Sequence, residues 1–424
     1  MEHKADIAIA GAGLTGRLMA LALAHTGQDV ILIDPAPQNG SIRDGRTTAL
    51  AFASVRLFQR LDLWEPLAAD AGEITDIVVT NGAPADRFRP GRRAGHHLHF
   101  PSTLLTPGKD GSPLGHIVEN AAMNTLFAER VEANERITTI FGQGVSSVEP
   151  TTGRTILTLS EGDTVAAQLL IACDGKFSRL RDRFGIRTIR RPYDQKAIIF
   201  NVKHDLPHGG VAHEMFYPSG PFAILPMQGN RSSIVWTEDA ATADAFMALD
   251  ESQVLAAARQ RIGDHLGDIR LVSDRAIYPL SLIFAPHPVG DRFALAGDAA
   301  HSIHPIAGQG FNLGVKDIAA MADVVAETAG AGLDVGHGTM LEKYARWRGF
   351  DAGTMSLGTD AMNHLFSNDL APVRMARSFG LGIVNAIDPA RRAFMRHAGA
   401  DLGDLPRLMQ PLREGEASPV KRQA

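Results

Sequence analysis

A single cysteine, Cys173, among 424 residues excludes an internal disulfide and any Cys-x-x-C redox pair. Redox chemistry, if present, therefore belongs to a bound cofactor. Cys173 ends the apolar run Leu169–Cys173, which suits a small buried hydrophobe better than a reactive thiol. No apolar stretch reaches the ~18 residues that a membrane-spanning helix needs. Excess positive charge is lacking too: the net charge is −5, which gives no support for nucleic-acid binding. The histidines of Gly95-His96-His97-Leu98-His99 have no accompanying cysteines or acids at ligand spacing, so no metal site is expected. Leu18–Ala24 could pass for the apolar core of a signal peptide, but Met1–Asp6 is not a basic leader. A cytoplasmic protein is expected.

What is present is a soluble globular composition, 45% hydrophobic and 21% charged, in a chain long enough for two domains. Asp6–Ala10 is an apolar strand running into Gly11-Ala-Gly-Leu-Thr-Gly16, then an Ala/Leu-rich helix, then the strand Asp29–Asp34. Each position has its own physics. Gly11 permits the tight turn, Gly13 lets backbone approach a pyrophosphate, and Gly16 lets the helix pack on the sheet. The helix start offers unpaired N–H groups to phosphates, and Asp34 can accept bonds from ribose hydroxyls. Dinucleotide binding is the expectation.

Further strands are expected at Ile77–Thr80, Ile137–Phe141, Thr155–Leu159, Leu169–Cys173, Ala197–Val202, Ala223–Leu225, Ser232–Thr237 and Arg292–Ala296. Helical spacing occurs at Ser54–Leu63, Asn120–Glu132, Glu251–Leu266, Val315–Thr328, Met340–Gly349 and Met375–Val384. The stretch from about Arg190 to Leu280 is strand-rich with Pro and Gly punctuation, and reads as a mostly antiparallel sheet inserted into a discontinuous nucleotide-binding domain. The expected partition is 1–75, 100–185 and 280–370 for the nucleotide-binding domain, 76–99 and 186–279 for the substrate domain, and 371–424 for C-terminal helices and a frayed polar tail.

Two more motifs carry chemistry. Leu169–Cys173 ends in Asp174-Gly175, a sharp turn before a helix-starting Ser178. Arg292–Ala296 delivers Gly297-Asp298 at a strand's carboxyl end, followed by His301, His304, Pro305 and the loop Gly308-Gln309-Gly310-Phe311-Asn312. Asp298 suits hydrogen bonds from a polyol; Pro305 stiffens the loop, while Gly308 and Gly310 let a flat ring approach backbone.

These three motifs in this order resemble the flavoprotein aromatic hydroxylases built like p-hydroxybenzoate hydroxylase, over nearly the whole chain. Within that group the chain is most similar to the ubiquinone-biosynthesis hydroxylases. The narrower resemblance rests on Asp44-Gly45-Arg46 through Leu50, Pro113–Asn120, Gly220–Pro226, His304–Asp317 and Leu341–Asp351. The closing Gly403-Asp404-Leu-Pro406-Arg-Leu408 is followed by Met-Gln-Pro where the family often has glycine, a departure that bears on tail packing. The implied fold is α/β, a Rossmann-type FAD-binding domain with an inserted antiparallel substrate domain and C-terminal helices.

The resemblance implies that Gly11, Gly13, Leu14, Thr15, Gly16 and Asp34 hold the ADP half of FAD. Arg46 would lie near its ribityl and phosphates, Asp174 and Gly175 between FAD and nicotinamide, and Asp298 at the ribityl chain, with Asn120 and Gly297 also among the cofactor-binding residues. Pro305, Gly308, Gln309, Gly310, Phe311 and Asn312 would border the isoalloxazine. NAD(P)H would reduce FAD, O2 would react at the flavin C4a, and one oxygen would pass to the ring of a polyprenylated phenol. No second glycine-rich nucleotide unit is present, which fits this plan and argues against the two-Rossmann disulfide reductases.

Phenol ionisation calls for a base or acceptor near the ring, and His304, His213 and Tyr217 are the candidates, with His304 and Pro305 placed nearest the chemistry. Rival readings are a hydroxylase of a soluble aromatic and a non-catalytic flavin-binding subunit. A halogenase is disfavoured because Trp64, Trp236 and Trp347 are scattered rather than grouped as Trp-x-Trp-x-x-Pro. Leu370–Val384 and Pro389–Arg396 mix apolar and basic residues, so a peripheral contact with the inner face of the membrane is a secondary expectation. A homo-oligomer or a ubiquinone-biosynthesis complex is the expected assembly.

Overall fold

The structure is a computed structural model that describes residues 1–38, 44–82, 97–105, 112–304, 308–366, 388–389, 391–392, 395 and 404–411. Its centre is a six-stranded sheet in which Ile7–Ala10, Val30–Asp34, Ile137–Phe141, Leu169–Ala172 and Phe293–Leu295 run parallel, with Leu169–Ala172 between Ile7–Ala10 and Phe293–Leu295. Strands buried on both faces need no polar alternation, and Ile7–Ala10 and Leu169–Ala172 have none. Alternate residues feed two cores. Ile7, Ile9 and Leu32 pack with the helices Leu14–His25, Asn120–Glu132 and Gln309–Gly330. Ala8, Ala10, Ile31 and Ile33 pack on a four-stranded sheet through Leu157, Leu159 and Val165.

The second body is a nine-stranded, mostly antiparallel sheet containing Ile189–His204, Arg231–Asp239, Gly220–Met227, Val211–Tyr217 and Ala276–Phe284, with Asp76–Thr80 and His97–Pro101 added at one side. One face, carrying Ile198, Phe200, Met215, Phe222, Ile224 and Trp236, is covered by the helices Ala240–Met247 and Glu251–Ile262. The other face turns toward the small sheet of Thr47–Ala51, Gly115–Glu119 and Gly72–Ile74. Thr47 Oγ1 lies 2.9 Å from Ser233 Oγ, and a Cβ on Gly72 would lie 2.2 Å from the Pro226 carbonyl, so the two bodies are closely fitted.

Asn120–Glu132 is a helix over the expected residues. The helix expected at Met340–Gly349 instead runs Gly338–Phe366, because Gly353 seats against Phe284 and tertiary packing outweighs the local cost of glycine. Val211–Tyr217 and Ala276–Phe284 carried no clear strand signal. The first holds a carboxylate among apolar residues, and the second holds Pro279 at a register irregularity opposite Lys196. Beyond the expected departure, Leu408 and Met409 are buried in the main core and Arg407 N donates to Asp323. The helix expected at Met375–Val384 and the tail Arg413–Ala424 lie outside the described residues.

Candidate functional site

Ala10, Ala172 and Leu295 stand in register at the carboxyl edge of the parallel sheet. One residue beyond each, the three motifs begin, with Gly11, Cys173-Asp174 and Ala296-Gly297-Asp298. Segments far apart in sequence thus meet on the edge where parallel sheets bind ligands. Gly11 has φ 104°, and a Cβ there would lie 2.4 Å from the Cys173 carbonyl oxygen. On Gly16 it would lie 1.7 Å from the Gly11 carbonyl oxygen. Nothing lies within 4 Å of a Cβ on Gly13. Packing within the chain therefore explains Gly11 and Gly16 but leaves Gly13 to a ligand.

Gly297 has φ 61°, and its added Cβ would lie 2.8 Å from the Thr15 side chain; one on Gly314 would lie 3.3 Å from Gly297 Cα. The starts of the Leu14–His25 and Gln309–Gly330 helices are therefore brought together, and neither has a side-chain cap. Their first N–H groups and dipoles suit an anion. Asp34 braces the glycine turn, accepting from Ala12 N at 2.5 Å and Ala36 N at 2.8 Å. Asp174 Oδ2 accepts from Arg179 N, while its buried Oδ1 has no partner among the described residues. Gly175 has φ 81° and open space beside it. An open glycine turn, uncapped helix starts and an orphaned buried oxygen together fit the pyrophosphate and ribose groups of FAD.

Asn312 fixes the approach of Thr47–Ala51 to this edge. Its Oδ1 accepts from Ala51 N and Ser54 Oγ, and its Nδ2 donates to the Ala49 and Gly308 carbonyls. Gly308, at φ 62°, backs onto Ala49, where its Cβ would lie 2.9 Å from the Ala49 Cβ. Gln309 is buried, Phe311 packs on the main core, and Gly310 has open space beside it. Pro305 lies outside the described residues.

Arg46 and Asn120 are joined through Asp44. Arg46 Nε and Nη2 donate to the Asp44 carboxylate, and Asn120 Nδ2 donates to Asp44 Oδ2 at 2.9 Å while its Oδ1 accepts from Thr48. The guanidinium sits 5.0 Å over the Tyr278 ring and senses Asp298. Asp298 is reached by solvent, yet surrounding protein crowds it enough to raise its pKa, an effect that His301, Arg46 and Lys176 oppose. Lys176 is lowered by burial, with Asp298 opposing, and donates to the Pro279 carbonyl at 2.9 Å.

His304 is wholly buried, edge-on to Tyr193, with no partner for either ring nitrogen among the described residues. Burial lowers its pKa to about 4, so it is neutral near pH 7. His213 and Tyr217 lie on the helix-covered face of the large sheet, His213 against His265 and Tyr217 beneath Arg261.

Three residues escaped sequence reasoning. Arg17, in the first helix, is buried and donates to the Gln38 and Asn124 carbonyls. Asp317 holds the third motif from beneath, accepting from Gly297 N at 2.8 Å, bonding His301 at 2.6 Å and accepting from Arg348 Nε at 2.7 Å. Glu214 stands on the open face of the large sheet. The available signal for Glu214 was an acid at an inward position of an otherwise apolar alternation, visible only once the strand is recognised.

Residues 4–346 match the FAD binding domain family. A ubiquinone hydroxylase, UbiL of Rhodospirillum rubrum, is 38% identical over 96% of this chain and 93% of its own length. The 3-demethoxyubiquinol 3-hydroxylase of Escherichia coli is 30% identical over 93% of this chain and 98% of its own. Among solved structures, p-nitrophenol 4-monooxygenase of Pseudomonas putida shares the fold, with TM-score 0.76 at 17% identity, covering 94% of this chain and 99% of that one. The chain belongs to the FAD-binding-domain family and, within it, to the ubiquinone-biosynthesis hydroxylases, FAD-dependent aromatic monooxygenases.

Proposed function

We propose that this hydroxylase acts on the ring of a polyprenylated phenol, with NAD(P)H as electron donor and O2 as oxidant. The single observation that carries the reading is the convergence of three distant motifs at one sheet edge, facing an apolar sheet wall. FAD, when bound, supplies the electron transfer and oxygen activation that no side chain offers. The chain's own contribution is positioning and exclusion of water. Gly11, Gly13, Leu14, Thr15, Gly16 and Asp34 would hold the ADP half, with Arg46, Asn120, Asp174, Gly175, Gly297 and Asp298 along the polyol and phosphates. Pro305, Gly308, Gln309, Gly310, Phe311 and Asn312 would border the ring system. The large sheet, with residues 76–99 and 186–279, would form the substrate side against 1–75, 100–185 and 280–370.

The wall opposite the motif edge is apolar and incompletely covered. Val79, Ile199, Leu225 and Val235 are only half-buried there, whereas Ile198, Phe200, Ile224 and Ile234 on the reverse face are buried. Apolar surface suits a prenyl chain and keeps water from the reacting centre. Such a chain resides in the bilayer, so the reading includes a peripheral membrane contact and assembly with itself or with other biosynthetic proteins. Among the described residues no helix is long and apolar enough to cross a membrane.

Anaerobic mixing of the flavin-loaded protein with NADH and NADPH, with and without a short-tail prenyl phenol, tests the reading. Phenol-stimulated flavin reduction supports it. Stimulation only by small phenols lacking the tail would favour a soluble aromatic, and a flavin that neither donor reduces would indicate a non-catalytic subunit. His304 is the proposed neutral hydrogen-bonding group beside the flavin loop. His304→Ala is expected to lower hydroxylation about tenfold with the pH profile unchanged above pH 6, less than the ~10²–10⁴-fold of a general acid–base group because a neutral imidazole here only donates or accepts a hydrogen bond. An unaltered rate removes His304 from the site.

A further inference from the structure

We propose that Glu214 accepts the hydrogen bond, and then the proton, of the substrate's ring hydroxyl, and that it discriminates against aromatic acids. The inference rests on the hydroxylase reading above. Side chains alternate along Val211–Tyr217, so Ala212, Glu214 and Phe216 share the face opposite that of His213, Met215 and Tyr217. Ala212 and Phe216 belong to the apolar cluster that includes Ala49, Val79 and Leu225, and Ala49 is the residue on which Gly308 rests. Glu214 thus rises from the wall that meets the head of the flavin loop.

The neighbours of Glu214 on that face are apolar. Val79 stands beside it on Asp76–Thr80 and Ala223 beside it on Gly220–Met227, with Val235 next across the sheet. Neither flanking strand presents a titratable group to it. The charged or ionisable groups of the same face stand elsewhere: Arg231 is paired with Glu119, Tyr278 lies under Arg46, and Lys203 and Asp239 stand at the ends of their strands. Glu214 makes no hydrogen bond or ion pair with any described residue, and solvent still reaches it. A carboxyl with no partner on an apolar wall is costly for the fold, and such a cost points to a ligand.

Burial pushes the Glu214 carboxyl up to about 8, between ordinary carboxylates and the ~10 of a phenol. That match favours proton sharing with a phenol near neutral pH. In the step, the substrate O–H bond breaks, its proton passes to a Glu214 carboxylate oxygen, and the ring becomes an electron-rich phenolate. Above about pH 8, where this carboxyl is ionised, an aromatic acid would place a second negative charge against it and be disfavoured.

The test uses flavin-loaded protein, a short-tail prenyl phenol and para-hydroxybenzoate. Equilibrium titration followed by ultraviolet difference absorbance reads both affinity and ionisation of bound phenol across pH 6–9.5. Wild type is expected to show kcat/KM rising as pH passes about 8 and Glu214 ionises, with the ultraviolet band of the bound phenol shifted to the red over the same range by its hydrogen bond to the carboxylate. Glu214→Gln is expected to lose that shift, flatten the kcat/KM profile and fall tenfold or more at pH 8; Glu214→Asp should restore part of the pH limb. Glu214→Gln should also bind para-hydroxybenzoate better than wild type does. Because the group's folded value is raised, stability falls as pH rises from the ordinary value of ~4.3 to about 8, so the melting advantage of Glu214→Gln over wild type should grow across that range and be complete above pH 8. Phenol binding, ionisation and pH profile unchanged in Glu214→Gln overturn the proposal while leaving the hydroxylase reading intact. Failure of wild type itself to bind the prenyl phenol overturns both.

Discussion

Gly16→Ala is expected to abolish folding, whereas Gly13→Ala is expected to leave the apoprotein intact and colourless. The two glycines lie in one turn, yet their surroundings differ completely. A methyl group on Gly16 would sit 1.7 Å from the Gly11 carbonyl oxygen, which is backbone and cannot rotate away. Relief requires the first helix to move off the parallel sheet, where Leu18, Leu21 and Leu23 form part of the main core. A cost above ~4–5 kcal/mol is exceptional for one substitution and consumes most of a typical stability of ~5–15 kcal/mol. Expression as insoluble protein, or loss of the cooperative melt, is the expected result.

On Gly13 the added methyl group meets nothing within 4 Å. Its backbone has φ −73°, which alanine adopts without strain. The apoprotein melting temperature should therefore change little, as for surface substitutions generally, within about 0.5 kcal/mol. FAD affinity should fall by tenfold or more, ~1.4 kcal/mol or above, because the methyl group takes the space a pyrophosphate would enter. Flavin fluorescence titration and thermal melts of apoprotein separate these effects. Wild-type FAD affinity in Gly13→Ala would show that the open side of the turn does not face the cofactor.

The contrast also shows what was legible in sequence. Strand, glycine turn, helix and terminal acid obey local rules, so the first motif could be read without a fold. The second and third motifs were legible as turns at strand ends, and their meeting follows from parallel strands being neighbours. Glu214 was not legible, because its meaning depends on which face of one strand looks inward. His213 and Tyr217, the more suggestive residue types on that strand, point to the helix-covered side. Asp317 was hidden for a related reason. It sits on a helix among small apolar residues, and its partners His301 and Arg348 come from separate elements. Long-range polar networks leave no periodic trace along a chain.

Asp317→Ala is expected to be the most damaging change outside the glycine turn. The carboxylate is 1% exposed and unites the Gly297 N–H, the His301 ring and the Arg348 guanidinium. Burial alone would raise its pKa, but His301 and Arg348 outweigh that and hold it below the usual carboxylate range. Arg348 is itself 2% exposed and keeps only Asp351, at 3.0 Å, as a carboxylate partner among the described residues once Asp317 is gone, so the loss should approach but not exceed the ~3–5 kcal/mol of a fully broken buried pair. The same linkage sets a pH window. A depressed folded value gives stability that is present above the ordinary value of ~3.9 and lost as pH falls through the lower folded value. Wild type should therefore lose this contribution only in acid, while Asp317→Ala should lack it at pH 7 and show a flatter acid limb. Asp317→Asn keeps the volume and one acceptor, and should fall between them. Since Gly297 and Asp298 ride on this carboxylate, FAD release should precede global unfolding in Asp317→Asn, read as flavin fluorescence rising below the melt followed by circular dichroism. Coincident transitions in both proteins would mean that Asp317 supports the fold without positioning the cofactor edge.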